Sequence, residues 1–148
     1  MSLNESQVRR YSRHILLPDV GGRGQMRLLD GAVCVPVGTG RYAELVALTY
    51  LAAAGVGTLV VAGDAQGCPG ADEVSAGMVF AAGDTKRSRV DGIRERLVAI
   101  NPDVTVTTDD HARALTLDPV HASTLDDALI AGGLAASRAL AQLIDGVA

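Results

Sequence analysis

The chain has 148 residues, of which 48% are hydrophobic and 3% are aromatic, which predicts one folded domain and excludes a disordered chain. Its net charge of −4 argues against nucleic acid and membrane surfaces as partners. No apolar run reaches the length of a membrane span, and the polar N-terminus does not resemble a secretory signal, so we expect a cytoplasmic protein.

Residues 1–30 are predicted to form a helical arm. Gln7–Leu17 carries apolar residues at helical spacing, with arginines on the opposite side. Glycines at positions 21, 22 and 24 are expected to interrupt this pattern before a second short helix at Gln25–Asp30. The arginines of the first helix fit a solvated face.

An apolar strand is followed by a glycine loop in the next segment. Ala32–Val37 is apolar on both faces, as is typical of a central parallel strand. The loop after it has the pattern Gly-x-Gly-x-x-Ala, in which Gly38 and Gly40 would let backbone N–H groups approach a nucleotide phosphate. Arg41 and Glu44, however, place a bulky cation and a carboxylate where that phosphate would lie.

Helices and strands alternate through the rest of the chain, although Pro36 conflicts with a central strand because proline removes a ladder donor. This alternation predicts an α/β fold, a Rossmann-like, mostly parallel sheet with helices on both faces, of which residues 31–148 would build half. The predicted elements are a helix at Tyr42–Ala54, a strand at Thr58–Ala62, a weak helix at Asp72–Phe80, a helix at Ser88–Ile100, strands at Val104–Thr107 and Asp127–Ala131, a break at Gly132 and Gly133, and a terminal helix at Leu134–Ile144.

Four motifs, in order along the chain, resemble one enzyme family. They are R-Y-S-R-H-I-L-L-P at Arg10–Pro18, G-Q-M-R-L-L-D at Gly24–Asp30, Y-L-A-A-A-G-V-G-T-L at Tyr50–Leu59 and I-N-P-D-V at Ile100–Val104. Together they resemble the adenylyltransferases of the ThiF/MoeB type, which are relatives of the ubiquitin-activating enzymes. The resemblance implies that residues 1–148 form a single Rossmann-like nucleotide-binding-fold domain, from a degenerate and C-terminally truncated member.

The resemblance also implies a chemistry. Family members use ATP and magnesium to adenylate the C-terminal carboxylate of a small ubiquitin-like or sulfur-carrier protein, and they work as dimers. An arginine from the N-terminal helix of one subunit reaches the nucleotide of the other, and Arg13 holds that position here.

Most of the charged groups that the resemblance implies are changed. Adenylyl transfer depends on positioned cations and metal, and the loss of one such group costs about 10²–10³ in rate. We therefore expect no efficient ATP chemistry and assign no catalytic and no metal-binding residue. The ribose-binding aspartate falls on Gly63 with Asp64 next to it, the nucleotide-binding asparagine on Glu73, the phosphate-binding arginine on Ala76, the catalytic lysine on Arg89 and the magnesium-binding aspartate on Gly133.

A smaller set of residues is still a candidate for nucleotide contact. The glycines also fit plain turn positions, Asp64 also fits a loop cap, and the arginines also fit a solvated surface. Neither Cys34 nor Cys68 has a metal or disulfide pattern, and Cys68, in a Gly/Pro loop, has no nearby base to activate it. The candidates are Gly38, Gly40, Arg41, Asp64, Arg87, Arg89 and, in trans, Arg13.

Three functions stay open at this point. The first is an inert dimerisation or binding module that needs no cofactor, forms a homodimer or pairs with an intact paralogue, and meets a ubiquitin-like or sulfur-carrier protein. The second is a minimal adenylyltransferase that uses ATP and magnesium. The third is a nucleotide or dinucleotide binder without turnover.

Overall fold

The computed structural model describes residues 2–38, 42–109, 111, 113–118 and 122–146, and a parallel sheet lies at the centre of these residues. In the described chain the strands are ordered β3-β2-β1-β4, and every pairing is parallel. The predicted class, an α/β fold with a Rossmann-like parallel sheet flanked by helices, is confirmed. The strands are β1 (Ala32–Val37), β2 (Thr58–Gly63), β3 (Thr105–Thr107) and β4 (Leu115–Thr116).

The helices precede, connect and follow these strands. The helices are α1 (Glu5–Arg10), α2 (Ser12–Ile15), α3 (Gly21–Asp30), α4 (Ala43–Ala54), α5 (Ala71–Ser75), α6 (Arg89–Ile100) and α7 (Leu125–Asp145), with a 3-10 helix at Ala82–Lys86. The predicted bounds of β1 agree with the structure, and those of β2, β3, α4 and α6 agree within one residue.

The core lies between one face of the sheet and a layer of three helices. Val33, Val35 and Val37 point from β1 into this core and are at most 1% exposed. The helix α4 contacts both α6 and α7, so the three share one side, as two successive right-handed crossovers require. Cys34 and Pro36 alternate with the core valines and are partly exposed. The sequence predicts helices on both faces, whereas the described helices α4, α6 and α7 cover one.

Pro36 fits its strand because of where β4 ends. The carbonyl oxygen of Cys34 accepts a hydrogen bond from the N–H of Leu117, so the backbone polar groups of Cys34 point toward β4. Those of Pro36, two residues later in the strand, point to the same side. The pairing between β1 and β4 stops at Cys34 and Thr116. The N–H that proline lacks would therefore point to a side where β1 has no paired neighbour.

The predicted strand at Asp127–Ala131 is wrong. These residues belong to α7, and the fourth strand is β4, which the sequence analysis does not predict. Gly132 does not break an element either: a Cβ at this position would lie 2.3 Å from the carbonyl oxygen of Ala43. The glycine is there because α7 approaches α4 so closely that no side chain fits.

The N-terminal arm differs from its prediction in two places. The predicted helix at Gln7–Leu17 is divided at Tyr11, which ends α1 and precedes α2 with its side chain turned inward and 1% exposed. Gly21, Gly22 and Gly24 lie within α3 instead of interrupting it. A Cβ on Gly24 would lie 3.2 Å from Cγ1 of Val20 and 3.4 Å from Cγ2 of Ile144, so α3 packs closely on α7 at this position.

A buried hydrogen-bond network fixes the arm to the domain. The Tyr11 hydroxyl donates to Asp103 Oδ2 (3.0 Å), and Asn101 Nδ2 donates to the Tyr11 oxygen (2.9 Å) and to the carbonyl of Ala52 (2.7 Å). Burial, together with the hydrogen bond to Asp103, raises the pKa of Tyr11 to about 12. The motifs at Arg10–Pro18 and Ile100–Val104 thus meet in space and have a structural role in holding the arm.

The helix α7 is the most apolar element on the surface. By length and composition it meets the criterion for crossing a membrane, with a mean hydropathy of 1.2 over its most apolar window, 28% of which is buried. The absence of such a run was predicted from the sequence, and this prediction is wrong. In the fold, α7 lies along α4 and α3, with Ala128, Ala136 and Ala139 in the contact.

Candidate functional site

The sheet brings Gly38, directly after β1, and the end of β2 together at its carboxyl edge. A Cβ on Gly38, directly after β1, would lie 2.9 Å from the Cβ of Asp64, which directly follows β2. In open α/β sheets ligands bind beyond the carboxyl ends of the strands. We call Gly38, Glu44, Asp64, Glu73 and Arg89 the loop site. The candidates Gly40 and Arg41 lie outside the described residues.

A carboxylate of the chain itself accepts a hydrogen bond from the first glycine after β1. The N–H of Gly38 donates to Glu44 Oε2 at 2.9 Å. Glu44 lies in the first turn of α4 and is 2% exposed, so its charge sits at the positive end of the helix dipole. Backbone N–H groups after a strand and at a helix N-terminus are the groups that bind phosphate in nucleotide sites. Here the carboxylate of Glu44 accepts a hydrogen bond from one such group, the N–H of Gly38.

The second feature of the site is a guanidinium held by two carboxylates. Arg89 is 7% exposed and forms a two-bond pair with Glu73, from Nε to Oε1 (3.1 Å) and from Nη2 to Oε2 (2.7 Å). Its Nη1 donates to Asp64 Oδ2 (2.6 Å) and to the Asp64 carbonyl (3.0 Å). Hydrogen bonding to Glu73, opposed by burial, raises the pKa of Arg89 above its ordinary value. Four of its five N–H donors are therefore committed within the chain.

Local backbone structure explains why these side chains meet. Ser88 caps α6 by accepting from the N–H of Asp91, and Arg89 is the first residue of the helix. The N–H of Arg89 donates to the carbonyl of Gly67 (2.7 Å), which ties α6 to the loop after β2. Glu73 lies in α5, where it also accepts from the N–H of Gly70 (2.8 Å). The pair between Glu73 and Arg89 therefore links α5 to the first turn of α6.

The backbone of Gly63 explains why the aspartate stands one residue later than the family resemblance implies. Its φ is +73°, and a Cβ would lie 2.6 Å from the carbonyl oxygen of Val37. A side chain at the position where the family resemblance implies the ribose ligand would therefore be strained. The carboxylate follows one residue later, as Asp64, and its side chain is 60% exposed and bound to Arg89.

Arg87 is placed elsewhere, although it is two residues from Arg89. Its guanidinium pairs with Asp84 and with Glu95 of α6. Hydrogen bonding to Glu95 raises the pKa of Arg87 above its ordinary value. Of the predicted nucleotide contacts, the structure brings together Gly38, Asp64 and Arg89 and separates Arg87 from them.

Arg13 is exposed on α2, and no ion pair or hydrogen bond of its side chain is found within the described part of the chain. Its neighbour His14 is held inside the arm, with Nδ1 2.9 Å from Gln25 Oε1. The side chain of Gln25 in turn donates to the carbonyl of Ala54 (3.1 Å). Arg13 is thus presented to the outside by residues that fix its helix.

The acidic side chains of the described residues are spread apart or bound to cations. Within these ranges no group of three or more His, Cys, Asp or Glu side chains is arranged to hold a metal. Gly133, where the resemblance implies the metal aspartate, lies in α7, and its nearest neighbour is a ring carbon of Tyr50. Asp64 and Glu73, the acidic groups at the loop site besides Glu44, are bound to Arg89. Cys68 is an exposed free thiol outside this cluster.

Known adenylyltransferases are similar to this chain in sequence. The model of the ThiF family matches residues 11–128. The chain is 38% identical over 110 residues to the sulfur carrier protein ThiS adenylyltransferase of Escherichia coli, covering 71% of this chain and 40% of that protein. It is 39% identical over 104 residues to the probable adenylyltransferase/sulfurtransferase MoeZ of Mycobacterium tuberculosis, covering 68% and 25%.

Solved structures agree on the fold. The crystal structure of PaaA has a TM-score of 0.62 and 25% identity over 74% of this chain and 38% of that one. The tRNA N6-threonylcarbamoyladenosine dehydratase TcdA of E. coli, in complex with AMP, has a TM-score of 0.57 and 20% identity over 74% and 43%. The chain spans 40% or less of the lengths of the two curated relatives described above.

Proposed function

Because this chain belongs to the ThiF family, we propose that it is a catalytically inert member that serves as a dimerisation or binding module. It has the parallel sheet, a glycine directly after β1 and an N-terminal arm. Two of the candidate nucleotide contacts, Asp64 and Arg89, are instead bound to each other. The proposal extends to the cofactor: the chain acts without ATP or magnesium.

The contact between Glu44 and Gly38 carries the proposal. A phosphate at this position would have to displace a carboxylate that is 2% exposed and already hydrogen-bonded at 2.9 Å. The displaced charge would then lie next to the phosphate, because Glu44 is fixed in the first turn of α4. Two like charges in a poorly solvated site repel each other strongly, so nucleotide binding is disfavoured.

The charge around Arg89 supports the same conclusion. The carboxylates of Asp64 and Glu73 both bind the guanidinium of Arg89, so four of its five N–H donors are committed within the chain. Transfer of an adenylyl group gains most of its rate from cations placed around the phosphate, and this cation is already bound by carboxylates of the chain.

The relatives supply the candidate partners. E. coli ThiS adenylyltransferase acts on a sulfur carrier protein, and a 64-residue segment of this chain is 52% identical to the SAMP-activating enzyme E1 of Haloferax volcanii. We propose that this chain pairs with a second copy or with an intact family paralogue, and that a ubiquitin-like or sulfur-carrier protein is the ligand of the assembly. Arg13 is available to such a partner because it is exposed and unpaired within the described residues.

The alternative is a minimal ATP-dependent adenylyltransferase, and its reaction separates it from the module. We expect ATP–pyrophosphate exchange by the full chain with a sulfur-carrier protein to stay at the level of buffer. The loss of two or more charged groups predicts a rate at least about 10⁴ below that of an active relative. The E. coli ThiS adenylyltransferase with its carrier is the positive control. Carrier-dependent exchange by this chain alone would establish the enzyme and refute the inert module.

A further inference from the structure

An exposed apolar patch lies on α7 and the adjacent turn of α4. Leu129, Ile130 and Leu134 are 46%, 72% and 50% exposed, and Tyr50 of α4 is 56% exposed. A Cβ on Gly133 would lie 3.8 Å from Cε2 of Tyr50, which places the tyrosine beside the same turn of α7. We call these five residues the α7 patch. Exposed apolar surfaces of this kind mark interaction sites.

The patch is on the side of α7 that does not face the core. The residues of α7 that pack inward are Ala128, Gly132, Ala136, Ala139 and Leu143, which recur at helical spacing. Ile130 and Leu134 are four residues apart, so they are neighbours on one face, and their positions lie about half a turn from the inward stripe. The fold therefore leaves a ridge of two large apolar side chains on the outer face of α7, of which Ile130 is 72% and Leu134 50% exposed.

Charges of opposite sign stand at the two ends of this ridge. Asp126 is four residues before Ile130, and Arg138 is four residues after Leu134. Both are exposed, and neither forms an ion pair within the described residues. The ridge therefore has the pattern acidic, apolar, apolar, basic, which is complementary to itself when it is reversed.

We propose that the α7 patch binds the α7 patch of a second copy of this chain, with the two helices antiparallel about a two-fold axis level with Gly132. In this arrangement Ile130 of each copy lies opposite Leu134 of the other, and Asp126 lies opposite Arg138. The short side chains of Gly133 and Ser137 let the helices approach closely. The inference deepens the proposed module by naming its interface, and it rests on that proposed function.

The chemistry of the ridge favours a second copy over a lipid surface. Helices that lie on membranes usually carry lysine and arginine along their polar face, where they meet anionic head groups. Here Asp126 and Asp127 stand at one end, Arg138 stands at the other, and the whole chain carries a net charge of −4. In an isologous dimer every contact occurs once on each side of the two-fold axis, so the ion pair between Asp126 and Arg138 would form twice.

Sedimentation velocity of the full chain over a dilution series tests the interface. We expect a dimer for the wild type, a monomer for Ile130→Glu, and a dimer for Val98→Glu, which changes an apolar residue that is 41% exposed on α6. Asp126→Arg and Arg138→Asp should each weaken the dimer by about tenfold, because each turns two ion pairs into two repulsions. An equimolar mixture of these two variants should regain wild-type association, since both contacts of the mixed dimer again join opposite charges.

The remaining outcomes overturn the inference. The inference is wrong if the wild type stays monomeric at every concentration or if Ile130→Glu still forms a dimer. It is also wrong if mixing Asp126→Arg with Arg138→Asp does not restore association. Binding of the monomer to vesicles of anionic phospholipid, lost in Ile130→Glu, would assign the patch to membranes instead. None of these results changes the pyrophosphate exchange, so the proposed inert site is judged separately from its interface.

Discussion

Replacing Arg89 with methionine is expected to lower the free energy of unfolding by about 3 kcal/mol, because it leaves a buried carboxylate without its partner. The Glu73 side chain is 12% exposed and receives two hydrogen bonds from Arg89. Asp64 contributes less to the loss, since its side chain is 60% exposed and water can replace the arginine. Urea unfolding monitored by circular dichroism measures the change.

Two controls separate the buried pair from a general effect of removing an arginine. Arg9→Met removes an ion pair to Glu5 in which the side chains are 79% and 83% exposed, and it should change stability by about 0.5 kcal/mol or less. The double variant Arg89→Met with Glu73→Met should be more stable than Arg89→Met alone, because the unpaired charge is gone. A single variant as stable as the wild type would show that the described pair does not hold the loop site together.

Replacing Gly132 with alanine is expected to cost about 2–3 kcal/mol of stability. The new Cβ would lie 2.3 Å from the carbonyl oxygen of Ala43 and 2.7 Å from Cβ of Val46, so α7 and α4 would have to separate. This loss exceeds the gain of about 1 kcal/mol that alanine brings to a helix interior. Thermal or urea unfolding of the purified variant measures the result.

The neighbouring glycine is a matched control. A Cβ on Gly133 would meet nothing nearer than Tyr50, at 3.8 Å, so Gly133→Ala should raise stability by up to about 1 kcal/mol. The opposite signs at adjacent positions follow only if residues 125–145 form one helix packed on α4. Two variants of equal stability would contradict this packing and would reopen the interpretation of residues 127–131 as a strand.

Local patterns predicted the first half of the fold well. The bounds of β1 follow from its apolar run and from the glycine after it. The helix α4 ends where Gly55 adopts a φ of +93°, and a Cβ there would lie 2.6 Å from the Tyr11 ring. In both cases the residue that sets the boundary lies next to it in the chain, so sequence reasoning finds it.

The C-terminal part was harder because a distant contact decides it. The pair Gly132 and Gly133 resembles a break when it is considered alone. Gly132 is tolerated inside α7 because the helix gains close packing on Ala43 and Val46, nearly ninety residues earlier. The strand β4 has only two residues, Leu115 and Thr116, too few for a period-two pattern to be recognised.

At the loop site, the sequence indicated the changed residues but not their mutual contacts. Glu73 and Arg89 stand where the family resemblance implies an asparagine and a lysine, and considered separately each is a lost ligand. They are 16 residues apart, and only the fold shows that they form one pair. Likewise, Glu44 was expected to disturb the phosphate position, and the structure adds that its carboxylate bonds to the N–H of Gly38.

Glu44 on the N–H of Gly38 and the carboxylates bound to Arg89 should prevent nucleotide binding, and calorimetric titration of the full chain with ATP and magnesium tests this most directly. An active adenylyltransferase measured under the same conditions shows that the assay detects binding. Our account predicts no saturable heat for this chain, with or without a sulfur-carrier protein. Saturable, magnesium-dependent binding in the micromolar range would contradict it.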